Sequence, residues 1–270
     1  MVDILLSTYN GETYLVELID SIIRQKYNDW RLVIRDDSSK DGTVILIKRY
    51  IDKYPGKITL VDLDSPNLGC NGSFERLLSF VEGDYFMFCD QDDIWTGKKI
   101  ERSMMAMENL EKQYGADTPL LVCGDATCID ENGTVIYPSF FENQKFVDTT
   151  DAFAHLMSLN VVQGATTLFN KACLEVFHPL PKNVLYDYWM ALCVSNSGRI
   201  VYIHEPLLLY RQHGDNVLGA LSIGMPYFVG KMKGVCRYFF FYRICKHTFK
   251  KCPSFLSWLV RKVYYSMKRL

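Results

Sequence analysis

The sequence predicts an α/β protein: a single, mostly parallel sheet flanked by helices, with a helical extension at its C-terminal end. Three observations carry that expectation. Apolar runs of six or seven residues alternate with helical apolar patterns through the first 125 residues. Those runs end abruptly in clusters of Asp, Ser and Asn. Residues 216–270 hold 11 Lys and Arg, no Asp or Glu, and many aromatic rings.

Taken in order, "VDILLS" (2–7) reads as the first strand, and Leu15, Leu18, Ile19, Ile22 and Ile23 then fall on one helical face. "RLVIRD" (31–36) is a second strand, and "SKDGT" opens a helix with Val44, Ile47, Ile51 and Tyr54 on one side. "KITLVDL" (57–63) is a third strand; Phe74, Leu77, Leu78 and Val81 mark a helix; "DYFMFC" (84–89) is a fourth strand. Strand–helix alternation implies parallel pairing, and ligands of such sheets bind beyond the carboxyl ends of the strands. Those ends carry Ser7-Thr8-Tyr9-Asn10, Asp36-Asp37-Ser38-Ser39 and Asp90-Gln91-Asp92-Asp93, which should share one rim. Each cluster alone also suits a turn or a helix cap.

The pattern from 117 to 215 is less regular. "PLLVCGDATCIDENGTVI" reads as a strand, a loop and a hairpin turn at Asn132 and Gly133. "NVVQGATTLFNKACLEVF" is a strand or loop leading into a helix, and "VLYDYWMALCVSNSG" an amphipathic helix with Asp187 near its start. "RIVYIHEPLLLYRQHGDNVLG" is a strand followed by a polar loop. Met104, Met105 and Met107 read as core or flank of a helix. Residues 1–215 are expected to form the main domain and 216–270 a basic, aromatic, helical tail.

A chain that is 49% hydrophobic and 23% charged folds, which excludes the disordered classes. Its nine cysteines are odd in number and lack short paired spacings, as expected for reduced thiols in a cytoplasmic protein. No basic stretch precedes the first strand, so no signal peptide is expected, and no uncharged apolar run is long enough to span a bilayer. The first 215 residues hold 19 basic against 31 acidic residues. In the tail, "RYFFFYR" (237–243) and "FLSWLVRKVYY" (255–265) mix cations with rings. That mixture suits an interfacial helix on anionic headgroups, which places the protein peripherally on the inner face of the cell membrane. A basic helical cap and an RNA-binding tail are the alternatives; no nucleic-acid partner is expected.

Three carboxylates at Asp90, Asp92 and Asp93 repel one another and need a compensating cation. An EF-hand is excluded, because Ile94 and Trp95 fall where that loop needs a ligand and a glycine. An aspartyl nucleophile of the phosphatase type would follow the first strand, which ends without one. A divalent metal site, Mg²⁺ or Mn²⁺, on a nucleotide diphosphate meets the demand.

"LLSTYNGETYLVELIDSIIRQKYNDWRLVIRDDSSKDGT", "NLGCNGSF" and "FCDQDDIW" resemble the family 2 inverting glycosyltransferases, whose GT-A fold is a single Rossmann-like sheet, over roughly residues 1–215. "IDENG", "VQGATTLFN", "YDYWMAL" and "YRQHGDNVLG" are similar to the bacterial rhamnosyltransferase-like branch. The resemblance implies a sugar, rhamnose from dTDP-rhamnose in the first instance, moved from a nucleotide diphosphate to a cell-surface polysaccharide or lipid-linked glycan. A UDP-hexose donor and a non-catalytic sugar-nucleotide-binding scaffold are the alternatives.

It also implies roles. Ser7, Tyr9 and Glu12 lie in the loop that cradles base and ribose, and Asp37 accepts the N3–H of uracil or thymine. Asp90 and Asp92 form the DxD element, with Asp92 the metal ligand, Asp90 on the ribose or a metal-bound water, and Asp93 in support. An inverting transfer needs a base for the acceptor hydroxyl. Asp187 is the candidate, with Tyr188 and Trp189 lowering the local polarity beside donor and acceptor, and Asp125 is second in line. The branch has His-Asp where this chain has Tyr186-Asp187. A plain helix-N-terminal carboxylate is the alternative for Asp187. His213 is a further metal ligand, or donates a hydrogen bond to a phosphate, or is simply a solvated side chain. Arg211 pairs with the diphosphate, Asn216 shares their loop, and Gly164 lets backbone approach the donor sugar or acceptor.

Overall fold

The computed structural model of the chain describes residues 1–62, 65–214 and 235–269. Its first half follows the predicted alternation: β1 (Val2–Thr8), α1 (Leu15–Ile23), β2 (Trp30–Asp36), α2 (Thr43–Lys53), β3 (Ile58–Leu60), α3 (Gly69–Leu77) and β4 (Tyr85–Cys89). β2 and β4 flank β1 in parallel, and β3 is parallel to β2. Thr8 lies opposite Asp36 and Leu6 opposite Cys89, so the three polar strand ends meet at one edge of the sheet.

A two-residue strand, β5 (Ile94–Trp95), and α4 (Lys99–Tyr114) lead into the second half. There the chain forms β6 (Leu120–Ile129), β7 (Val135–Tyr137), α5 (Phe140–Asn143), α6 (Phe153–Leu156), β8 (Leu168–Asn170), α7 (Tyr186–Ser197) and β9 (Arg199–Arg211). Among the described residues all strands belong to one 9-stranded sheet in the order β3-β2-β1-β4-β8-β6-β9-β5, with β7 paired to β6. β8 runs antiparallel to β4 and β6 and joins the first parallel block to the parallel β6–β9 pair.

Alternate residues of the buried strands face two cores, as the pleat requires. Val2, Ile4 and Leu6 pack with Leu15, Leu18, Ile19 and Ile22 of α1 and with Ile100, Met104 and Met107 of α4, while Met105 is exposed. Leu5, Phe86 and Phe88 face the other way, onto Phe74, Trp189 and Leu192.

Three expectations for 117–215 change. The strand and loop of "PLLVCGDATCI" form one ten-residue strand, whose pairing with β9 shifts register at Asp125. "NKACLEVF" makes a 3₁₀ turn (Lys171–Leu174) and no α-helix, because Pro179 and Pro181 close the chain off soon after. α7 is not amphipathic: eight of its 12 residues are buried, since sheet and C-terminal helices cover it together.

The extension is helical, as predicted: α8 (Val235–Thr248) and α9 (Phe255–Lys268). Tyr242, Cys245, Phe249, Cys252, Trp258 and Tyr265 belong to the same core as Phe88 and Trp189, so the inner face of the tail is main-domain interior. The boundary at 215/216 and Asn216 lie outside the described residues. Among the described residues no helix is long and apolar enough to cross a membrane.

Candidate active site

A cleft of about 1120 Å³ opens at the edge where β1, β2 and β4 end. Ser7, Tyr9, Asp37, Asp90, Asp92, Gly164, Asp187 and His213 all line it. Loops after different strands, far apart in sequence, thus converge on one space.

Around Asp37 the loops are tied by charge. Asp37 is 3% exposed, and its side chain accepts from the Leu68 N–H at 2.7 Å, the Gly69 N–H at 2.8 Å and the Arg35 guanidinium at 2.6 Å. Arg35, fully buried, also donates to Asp62 and to the hydroxyls of Ser65 and Ser73. The Ser7 hydroxyl donates to Ser73 at 2.7 Å, which turns it into the same network. Tyr9, 47% exposed, exchanges two hydrogen bonds with Gln91: its N–H donates to Oε1 at 2.8 Å, and its carbonyl accepts from Nε2 at 3.0 Å. Gln91 thereby fastens the first loop to the acidic one.

The acidic loop is strained by its own charge. Burial pushes the Asp90 carboxyl up to about 7, and the charges of Asp92 and Asp187 add to it. The Tyr186 hydroxyl, which donates to Asp90 Oδ1 at 3.3 Å, pulls the other way. Asp92 Oδ2 lies 2.8 Å from His213 Nε2. Asp93 is fully buried, accepts from the Arg211 N–H at 3.1 Å, and has its carboxyl held well above the usual range by burial and by Asp92 and Asp90.

Asp187 sits in the first turn of α7. Its Oδ2 accepts from the Gly164 N–H at 2.9 Å and its Oδ1 from the Tyr188 N–H at 2.6 Å. Burial raises its pKa, and those two N–H groups oppose the rise. A Cβ on Gly164 would stand 2.6 Å from the Tyr186 hydroxyl and 3.1 Å from Asp187 Cβ, so glycine is required for the turn to close on α7. The close approach at Gly164 is therefore to the chain's own Tyr186 and Asp187.

Comparison with known proteins follows the same line. Residues 3–155 match the sequence profile of glycosyl transferase family 2. Over 230 residues, 80% of this chain and 74% of its relative, the sequence is 30% identical to the dTDP-rhamnosyl transferase RfbG of Shigella flexneri. The chain belongs to glycosyl transferase family 2. It is also 32% identical over 117 residues to the UDP-Glc:alpha-D-GlcNAc-diphosphoundecaprenol beta-1,3-glucosyltransferase WfgD of Escherichia coli, 43% of this chain and 45% of that one. Among solved structures, S. aureus TarS 1-349 in complex with UDP-GlcNAc superposes with a TM-score of 0.66 at 15% identity, covering 99% of this chain and 72% of that one. The mannosyltransferase PcManGT from Pyrobaculum calidifontis, in complex with GDP-Man and Mn²⁺, gives a TM-score of 0.62 at 17% identity, covering 98% and 69%. Identities this low speak for the GT-A fold alone.

In this family 2 glycosyltransferase some expected site residues stand back from the cleft. Trp189 is 1% exposed, donates to the His178 carbonyl at 2.9 Å and packs on Phe249, so it is core. Two residues along a helix is about 200° of rotation, which turns it away from Asp187. Glu12 points at α2, where its carboxylate accepts from the Gly42 N–H at 2.5 Å. Arg211 is 2% exposed; its guanidinium donates to the carbonyls of Asp92 at 3.0 Å and Glu131 at 2.9 Å, pairs with Glu17, and lies 4.5 Å from the Tyr14 ring. It props the acidic loop from behind. Asp125 accepts from the Ala126 and Phe141 N–H groups and from Ser139, and does not line the cleft. Sequence reasoning missed Arg35, Gln91 and Tyr186, whose parts depend on strand register and on loops meeting in space.

A divalent cation fits this donor set in part. Among the described residues no three His, Cys, Asp or Glu side chains form a complete cage. Mg²⁺ and Mn²⁺ keep waters and take one or two carboxylates plus phosphate oxygens. Asp92 beside His213, with the charge-strained Asp90 next to it, suits a site that the donor diphosphate completes.

Proposed function

We propose that this glycosyltransferase transfers a sugar with inversion, in a reaction dependent on Mg²⁺ or Mn²⁺, from a nucleotide diphosphate to a bacterial surface polysaccharide or lipid-linked glycan. dTDP-rhamnose is the first donor to test, given the likeness to RfbG. The observation that carries the reading is the single cleft lined by Asp37, Asp90, Asp92 and Asp187. A UDP-hexose is the second reading, favoured by the likeness to WfgD. Asp37 does not choose between them, because uracil and thymine offer the same N3–H edge.

In this reading Asp37, already aimed by Arg35 and two loop N–H groups, takes the base, and Ser7 and Tyr9 shape the base and ribose pocket. Asp92 and His213, with the donor's phosphate oxygens, would hold the divalent cation, which when bound would offset the negative charge of the departing nucleotide diphosphate. Asp187 removes the proton of the acceptor hydroxyl. Its two backbone hydrogen bonds fix the carboxylate's aim, and its raised pKa brings it nearer the working pH, where a general base is most effective. No covalent intermediate on the enzyme is needed.

The outer face of α9 supports a membrane partner. Leu256, Leu259, Val260, Val263, Tyr264 and Met267 are 41–70% exposed and recur at helical spacing, while Trp258 and Tyr265 face inward. With no Asp or Glu between 216 and 270, this stripe suits anionic lipid, which would bring the enzyme to a lipid-linked acceptor.

The test is a mass-spectrometric screen of donor consumption across dTDP-, UDP- and GDP-sugars, with Mn²⁺ and with chelator. The expected result is metal-dependent consumption of dTDP-rhamnose, reduced about 10²-fold or more in Asp92→Ala. Consumption of a UDP-hexose instead moves the reading to the second donor. Binding without consumption of any donor leaves a scaffold.

A further inference from the structure

Two short segments line the same cleft, and the second ends at Gly164, whose N–H holds Asp187. Residues 140–146 contribute Phe140, Gln144 and Phe146, and residues 157–164 contribute Asn160 and Gly164. Neither is braced by a long element of its own: α5 has four residues, and 157–162 is neither strand nor α-helix. Both are held from α9. Arg269, just past the end of that helix and 6% exposed, donates through Nε to the Gln144 carbonyl at 2.9 Å and through Nη2 to Gln144 Oε1 at 3.0 Å. Its guanidinium carbon lies 4.7 Å from the centre of the Phe146 ring. Trp258 donates to the Met157 carbonyl at 3.2 Å and Lys262 to the Ser158 carbonyl at 3.4 Å.

A guanidinium is buried only where its donors are met, and its planar fork together with ring stacking fixes a neighbour more rigidly than an ammonium does. Arg269 carries donors only, so it also settles which end of the Gln144 amide faces it. The wall it fixes offers the rings of Phe140 and Phe146 beside an amide, which suits a sugar presenting C–H faces and hydroxyls together.

We infer that Arg269 is a positioning residue for the acceptor: it locks Gln144 and Phe146 into the wall against which the acceptor sugar is seated, so the C-terminal helix is part of the acceptor site. This rests on the transfer reaction proposed above. The helix that presents an apolar stripe outward thus grips the acceptor wall with its inner side and its end.

The test compares full-length wild type, Arg269→Met and Arg269→Lys. In Arg269→Met, amide exchange in residues 140–146 should speed up about 10-fold or more, while binding of UDP and dTDP with Mn²⁺ changes less than about twofold. With a short-chain alkyl diphospho-GlcNAc as acceptor probe, its KM should rise about 10-fold with donor KM unmoved, and Arg269→Lys should fall between. Unchanged exchange in 140–146, an unmoved acceptor KM despite faster exchange, or an equal loss of nucleotide binding each overturns the inference. Should the wild type not use the probe, the proposed acceptor class falls and the acceptor role of Arg269 falls with it, while unchanged nucleotide binding keeps the transferase reading standing.

Discussion

Asp90 has its carboxyl pushed up to about 7, first by burial and then by Asp92 and Asp187. A carboxyl raised on folding binds more protons in the folded chain than in the unfolded one between the two pKa values, about 4 and about 7 here. Its contribution therefore favours folding at low pH and is lost as pH climbs through that window. Asp93 and Asp187 are shifted in the same direction, whereas Lys99, lowered to about 7 by burial, acts only above it. Metal-free protein should accordingly lose thermal stability between about pH 5 and pH 7, and Asp90→Asn should flatten part of that slope. Calorimetric Tm values across the range check this; an identical slope in the variant would mean that Asp90 titrates as an ordinary aspartate. The cluster of carboxylates was legible in the sequence as an anomaly needing a cation. Its support was not, because Arg211 meets it from a loop distant in sequence and Gln91, within it, reaches across to Tyr9.

The turn at Gly164 and the start of α7 work as one element. Tyr186 stacks on Phe74 at 3.9 Å, so its ring has no room to retreat from an added methyl at Gly164. Gly164→Ala should shift Tyr186 and Asp187 together, costing about 1–3 kcal/mol of stability and about 10-fold or more in turnover. Donor binding around Asp37 should hardly change. Chemical denaturation and steady-state rates check this, and a variant with wild-type turnover would show that the turn tolerates a side chain. Apolar periodicity was enough to place α1 to α3 and the strands β1 to β4, whereas the two-residue β5 was too short to show a period. It misread α7 as amphipathic, because a helix covered on both sides has no polar face to set a period. Arg35 was invisible as a site residue: only the pairing of β1 with β2 brings it beside Ser7 and under Asp37.

For the whole molecule, the charge count revealed a cationic, aromatic extension, but not which rings face inward. Trp258 and Tyr265 join the core, whereas Leu256, Val260, Val263 and Met267 stay outside. Deleting the extension would strip the core, so surface substitution is the better probe of docking. Replacing those four outer residues by Gln should abolish cosedimentation with phosphatidylglycerol vesicles and leave UDP and dTDP binding intact. Equal pelleting of variant and wild type would assign the stripe some other partner. High salt should release the wild type only in part, because buried apolar groups are less sensitive to screening than cations. The sharpest test of the enzyme as a whole is Asp187→Asn, which keeps the side chain's volume and removes proton acceptance, at the cost of one of its two backbone hydrogen bonds, to Gly164 or to Tyr188. Isothermal titration with the donor and single-turnover transfer should show affinity within about twofold of wild type and a rate lower by about 10²-fold or more. A variant that transfers sugar at the wild-type rate would contradict Asp187 as the base and place proton removal elsewhere.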